Sequence, residues 1–296
     1  MKENFEILRH EFEKIKQQGA IKSLRKGSTG IGYTFETLLN KKEDKESKPD
    51  FLGIELKTKL GYSKSPITLF RCAPLRNGKH ATNYLFYNYS NKKSGEPNVS
   101  ILEREIYTHH FYKNYNYGFK LYINYYNQRI ILQSFYKNNF IENVCYWEFE
   151  DLEKILKIKL TYLAIIEGYP YYYNNELYYK YFVMRSYKLR GFIEFLNLIE
   201  QEKIFVSVYI KKENNALKIN NHGYAFKIKK YFIKELFINL PYWFKYFHKC
   251  TCQGVFCIKK QYFPILWFIN GREDRIRTCD PLVPNQVHYQ AVLLLD

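Results

Sequence analysis

No run of about 20 apolar residues, the length a helix needs to cross a bilayer, occurs in these 296 residues. No secretory signal pattern stands at the start. The expectation is a cytoplasmic protein with no membrane partner. The chain has no internal repeat and no linker longer than a few residues, which excludes repeat arrays. Acidic residues are few beside basic ones: 29 Asp and Glu against 46 Lys and Arg, a formal net charge of +17. That deficit, with a pI near 9.3, points to an anionic partner. Cysteines are few and uneven, with four of the six after residue 249. Cys250, Cys252 and Cys257 form a Cys-x-Cys-x4-Cys cluster whose spacing fits no common structural zinc site.

Apolar residues make up 46% of the chain, enough for a buried core. The length allows one large domain or two modest ones. Tyrosine and phenylalanine are frequent, at 30 and 23. With abundant Lys, Asn and Ile they fit an A+T-rich coding sequence. Tyrosines beside lysines also suit phosphate contact and base stacking.

Periodicity gives a mixed α+β chain. Residues 3–18 carry Phe5, Ile7, Leu8, Phe12 and Ile15 at amphipathic helix spacing. Gly27, Gly30 and Gly32 mark a loop, and residues 33–41 a helix. No Gly-Lys-Ser/Thr follows, so a nucleotide-binding loop is disfavoured against a loop lying on a DNA backbone. Residues 42–50 form a charged surface loop, 51–59 a strand and 67–72 the next. Residues 119–125 and 128–136 read as a hairpin, with a strand at 144–149 and a helix at 150–158. Two long strands fill 160–187, joined near Pro170 to Asn175. A helix at 190–201, a strand at 203–212, a hairpin arm at 217–229 and a helix at 230–239 complete the pattern.

The chemistry concentrates in Pro-Asp-Phe-Leu-Gly-Ile-Glu-Leu-Lys, residues 49–57. Glu55 and Lys57 are two apart and share one face of a strand, while Ile54 and Leu56 point to the other. Asp50, Glu55 and Lys57 on one edge can hold a Mg²⁺ ion and orient a water, which suits cutting a phosphodiester. On spacing alone, Asp50 as a turn cap beside a surface Glu55–Lys57 pair explains the same residues.

Three blocks in one order, "RKGSTGIGYTFETLL" from Arg25, "PDFLGIELKTK" from Pro49 and "ITLF" from Ile67, closely resemble the MvaI/BcnI family of type II restriction endonucleases. These are relatives of the nicking enzyme MutH within the PD-(D/E)xK superfamily. The likeness is strongest over residues 20–75 and extends to about residue 245. It implies a PD-(D/E)xK core, a mixed sheet flanked by helices, with a second lobe that reads duplex DNA. The lobes would be residues 1–159 (catalytic) and 160–249 (recognition). Asp50 and Glu55 would ligate Mg²⁺, with the Leu56 carbonyl as a further ligand. Lys57 would position or deprotonate the attacking water, and Glu36 would orient Lys57 or a second metal's water. Residues 220–228, "NNHGYAFKI", resemble the family's "DHGxxFRI" stretch. There Asn221, His222 and Lys227 would face base pairs, Asn221 standing in place of aspartate and Lys227 in place of arginine. On the preceding strand Ser207 and Tyr209 stand where an acidic residue and an arginine are usual. These departures leave the family's C/G-rich target open. The implied enzyme is a monomer paired with a cognate DNA methyltransferase. A MutH-like nicking enzyme and an inactive DNA-binding relic are the rivals.

Residues 250–296 carry five Lys or Arg against four Asp or Glu, so nearly all the excess charge precedes them. Their end, "GREDRIRTCDPLVPNQVHYQAVLLLD", resembles the translation of a tRNA gene. A read-through tail that packs poorly is expected there.

Overall fold

Phe5, Leu8, Phe12 and Ile15 recur at helical spacing and form the buried stripe of α1 (Lys2–Gln17). Glu3 in its first turn and Lys14 and Lys16 in its last complement the helix dipole. Leu8 is wholly buried, so its truncation to alanine costs about 2–5 kcal/mol. The structure, a computed structural model, describes residues 1–39, 48–110, 117–214, 216 and 218–240. All belong to one unit, Met1–Pro241. The cysteine cluster and residues 250–296 lie outside the described residues.

Three sheets form the frame. The first holds β1 (Ile21–Lys22), β2 (Glu55–Leu60), β11 (Tyr162–Tyr173), β12 (Glu176–Leu189) and β15 (Phe237–Leu240). Its order is β1-β12-β11-β2, with β15 also on β12. The sheet is mixed, because β2 runs parallel to β11 while the other pairs are antiparallel. The second holds β4 (Leu75–Arg76), β5 (Lys79–His80), β8 (Tyr117–Asn124), β9 (Arg129–Tyr136) and β10 (Asn139–Glu148), in the order β5-β4-β10-β9-β8. The third holds β3 (Ile67–Arg71), β6 (Asn91–Lys93), β7 (Glu96–Ile106), β13 (Ile204–Glu213) and β14 (Asn220–Ile228), in the order β3-β14-β13-β7-β6. Helices α2 (Gly30–Leu38), α3 (Thr82–Tyr89), α4 (Phe149–Lys159), α5 (Phe192–Glu200) and α6 (Ile233–Leu236) pack around them.

Alternation along β2 and β11 sorts side chains between two cores. Leu56, Ala164 and Ile166 join Phe5, Leu8 and Phe35 in the core under α1 and α2. Leu163, Ile165 and Tyr187 point the other way, into the larger core shared by the second and third sheets. The face of β2 that carries Glu55 and Lys57 is therefore the one opposite α1 and α2.

Several expectations change. The strand expected over 51–59 begins only at Glu55, because Phe51–Ile54 is a tight turn with reciprocal backbone bonds of 2.9 and 2.8 Å. Gly30 and Gly32 lie inside α2 rather than in a loop. A Cβ on Gly30 would stand 2.4 Å from the Arg25 carbonyl oxygen, and one on Gly32 2.8 Å from Thr58 Oγ1. These two glycines serve close packing, not phosphate cradling. The helix expected over 230–239 is a 3₁₀ turn at Lys230–Phe232, then α6, then β15. Pairing of Phe237–Leu240 with Ser186–Leu189 takes the end of that segment into the sheet. The charged loop falls largely on residues 40–47, which lie outside the described residues. The 159/160 division does not follow sheet boundaries, since β2 shares a sheet with β11, β12 and β15.

Candidate active site and nucleic-acid interface

The turn before β2 is what brings Asp50 to Glu55. Leu52 and Gly53 both have positive φ, 47° and 80°, the sign pattern of a type I′ turn, in which the second position favours glycine. Asn4 Nδ2 donates to the Leu52 carbonyl at 2.8 Å and ties the turn to α1. The chain then doubles back, and the Leu56 N–H donates to Asp50 Oδ2 at 2.9 Å. Sequence neighbours five apart thereby sit at one strand end.

Glu55 is 1% exposed. Its Oε1 accepts from Lys57 Nζ at 2.6 Å, and Lys159 Nζ stands 3.6 Å from the same oxygen. Its Oε2 is buried without a partner. Burial pushes the Glu55 carboxyl upward; Lys57 opposes the rise and Asp50 adds to it. An unpaired buried oxygen costs about 1–3 kcal/mol, more when charged, so this atom calls for a ligand. A hard divalent cation fits: it takes carboxylate oxygens and offsets the repulsion between Asp50 and Glu55. Among the described residues no group of three or more His, Cys, Asp or Glu side chains could hold a metal. The donors at hand are these two carboxylates and neighbouring backbone.

Glu36 approaches from elsewhere. Thr58 points at Gly32 of α2, so α2 covers the face of β2 opposite Glu55 and Lys57. Glu36 Oε1 lies 3.8 Å from where a Cβ on Gly32 would stand, and burial, then Tyr179 and the Glu36 charge, raise the Tyr181 hydroxyl. The geometry thus assembles Asp50, Glu55 and Lys57, while Glu36 stands on α2 beside Gly32. Lys159 is the residue sequence reasoning missed. Its position, in the last turn of α4, signals only favourable helix-end charge. Its proximity to Glu55 follows from the register that sets Leu163 beside Glu55.

The second group lies on the third sheet. Tyr209 and His222 meet edge to face, their ring centroids 4.8 Å apart. A register shift between Val208 and Ile210, where Gly223 takes φ 100°, turns His222 to the Tyr209 side. Lys227 pairs with Phe205, four residues before Tyr209, and shares that face. The backbone of Asn221 pairs with Ile210, and its side chain lies outside the described residues. Beside Tyr209 and Ser207 the next strand sets Glu103 and Glu105. The structure thus brings Tyr209, His222 and Lys227 onto one face.

Comparison with known proteins matches this arrangement. The sequence profile of the MvaI/BcnI restriction endonuclease family matches residues 9–237. The fold is similar to that of the restriction endonuclease MvaI in complex with its cognate DNA substrate, at 32% identity and TM-score 0.73, over 81% of this chain and 98% of that one. It is also similar to MvaI in the absence of DNA, at 31% identity and TM-score 0.53, over the same shares of the two chains. None of the curated proteins compared with the chain matches it. The mixed α+β fold with its Asp50-x4-Glu55-x-Lys57 edge is the PD-(D/E)xK core expected of such enzymes. By sequence and by fold, the chain belongs to the MvaI/BcnI restriction endonuclease family.

Proposed function

We propose that this chain is a Mg²⁺-dependent type II restriction endonuclease that hydrolyses phosphodiester bonds in both strands of duplex DNA at a short specific sequence. The observation that carries the reading is the buried Glu55 carboxylate, with Oε2 unpaired beside Lys57 and with Asp50 bonded to the same strand. Asp50 and Glu55 would hold the cation, with the Leu56 carbonyl as a further ligand by the superfamily pattern. When bound, Mg²⁺ supplies polarisation of the phosphoryl oxygen and an acidified water. Lys57 directs that water and offsets negative charge as it builds. Lys159 adds a second ammonium on the same carboxylate. Glu36, by the family pattern, orients Lys57 or a second metal's water. Tyr209, His222, Lys227 and Asn221 face the base pairs, with residues from both expected lobes contributing to the cleft. The enzyme works as a monomer in the cytoplasm alongside a DNA methyltransferase that protects the host. No helix among the described residues is long and apolar enough to cross a membrane.

Digestion of supercoiled plasmid with Mg²⁺, followed by end mapping, tests the reading. Linear fragments with defined ends support it. Nicked circles alone point to a MutH-like nicking enzyme, and intact plasmid to an inactive relic.

A further inference from the structure

One row along β2 from Lys57, on the same face, a second charged cluster lies outside the machinery described above. The registers place Lys57, Ile165 and Arg185 in one cross-strand row and Lys59, Glu167 and Val183 in the next. The rows are two residues apart, about 6.6 Å. Glu167 is buried and pairs with Arg185 Nη1 at 3.0 Å and with Lys230 Nζ at 3.3 Å. Lys59, also buried, donates to the Ser65 carbonyl, and Lys230 donates to the Gly61 carbonyl at 3.0 Å. Two cations thus pair with a single carboxylate, and Lys59 lies within reach of its charge. Among the described residues no other carboxylate pairs with them. The ammonium of Lys59 has three donors and one acceptor. Arg185, with side-chain exposure of 41%, presents the rest of its guanidinium to solvent.

A purely structural network would match its charges, because unbalanced buried cations cost stability. Here the excess is two positive charges, set next to the site where a phosphodiester is cut. We propose that Lys59, Arg185 and Lys230 form a phosphate-binding site for a backbone phosphate flanking the scissile one. This rests on the endonuclease reading above. Arg185 supplies a planar fork suited to two phosphate oxygens, while Lys59 and Lys230 supply point charges. Glu167 holds the Arg185 and Lys230 heads together when no anion is bound, and the Ser65 carbonyl holds that of Lys59. A phosphate in that place also steadies the Gly61–Ser65 segment, whose two ends the lysines grip.

The test is the salt dependence of binding of a short duplex to the full chain without divalent metal, followed by fluorescence anisotropy. Each phosphate contact contributes about 0.9 to the slope of log affinity against log salt. Arg185→Gln and Lys230→Gln should each flatten the wild-type slope by about 0.9. Arg185→Lys should keep most of it, and Glu167→Gln should not flatten it. Melting curves establish which variants are folded. Folded Arg185→Gln and Lys230→Gln proteins with the wild-type slope would overturn the proposal and leave the cluster a staple for the loop. Inorganic phosphate separates the two sources of the ligand. If it raises the Tm of the wild type but not of Lys230→Gln while the DNA slopes are equal, the site takes a free anion and the backbone assignment fails. A wild type whose duplex binding is absent or insensitive to salt would instead sink the endonuclease reading itself.

Discussion

The edge of β2 and the face of β13 and β14, to which the proposal assigns cutting and reading, are built differently. The β2 edge is local: Asp50, Glu55 and Lys57 lie within eight residues, and one tight turn with Gly53 brings them together. The β13–β14 face is assembled across strands from β7, β13 and β14, with a register shift deciding which way His222 points. On the proposed reading the first arrangement tolerates little change, because each group would act on the same metal and water. On the same reading the second can change residue by residue, since each side chain would meet its own base edge. That difference fits a chain that keeps Asp-x4-Glu-x-Lys while carrying Ser207, Tyr209 and Lys227 on its recognition face.

The largest expected effect lies at the edge. Asp50→Ala, Glu55→Ala and Lys57→Ala should each lower plasmid cleavage by at least about 10²–10⁴-fold, the range for a single positioned acid–base group. Duplex affinity measured without metal should change far less. Equal losses of cleavage and binding would show that the two regions are not separable. Next in size, His222→Ala and Lys227→Ala should each lower discrimination between target and other sequences by about 1–3 kcal/mol. Cleavage at saturating enzyme should persist. Competition binding with target and scrambled duplexes reads this, and an undiminished ratio would remove that residue from the reading face.

A smaller effect concerns stability. Burial, before any other cause, raises the Glu55 carboxyl in the fold, so its ionised form is disfavoured there. A raised carboxyl contributes stability that is full below its ordinary value and is lost as pH climbs from there through the raised one. Glu55→Gln should therefore melt above the wild type at neutral pH without metal, while cleaving nothing. Added Mg²⁺ should narrow the gap by stabilising only the wild type. A variant that melts lower in metal-free buffer would mean that the Lys57 bond outweighs the buried charge.

Lys59 gives the opposite sign. Burial, then Lys230, push its ammonium down to about 8 from an ordinary 10.5. The unfolded chain binds more protons than the fold between those values, so this group's contribution to stability grows as pH rises from about 8 to 10.5. Urea midpoints of wild type and Lys59→Met should draw apart in the wild type's favour across that window, and parallel curves would refute the depressed value. The smallest effect is expected from deleting residues 250–296, which follow the end of the family match at residue 237. Cleavage and Tm should stay as they are, and a drop of many degrees would show that the segment belongs to the fold.

Much of the edge was legible because its signals are short range. Glu55 and Lys57 share a face by strand alternation, whereas the turn at Leu52 and Gly53 that returns the chain to Asp50 was read as part of the strand. The amphipathic spacing of α1 and the hairpin of β8 and β9 were legible for the same reason. Lys159 was not, because only the pairing of β11 with β2 brings the end of α4 to Glu55. Glu36 was read as a neighbour of Lys57, and its face depends on how α2 packs through Gly32 onto Thr58. The stretch that forms α3 and β7 gave no clear period, since Tyr84, Tyr87 and Tyr89 suit strand as well as helix. The Lys59–Glu167–Arg185–Lys230 cluster draws on four separate segments and left no trace in any one of them.

The most direct measurement is cleavage of supercoiled plasmid by wild type and Glu55→Gln across a Mg²⁺ titration, with duplex binding followed in parallel. The account predicts Mg²⁺-dependent linear products with mapped ends for the wild type, none for Glu55→Gln, and comparable metal-free binding by both. Cleavage by Glu55→Gln at wild-type rates, or cleavage by the wild type that persists in excess chelator, would contradict it.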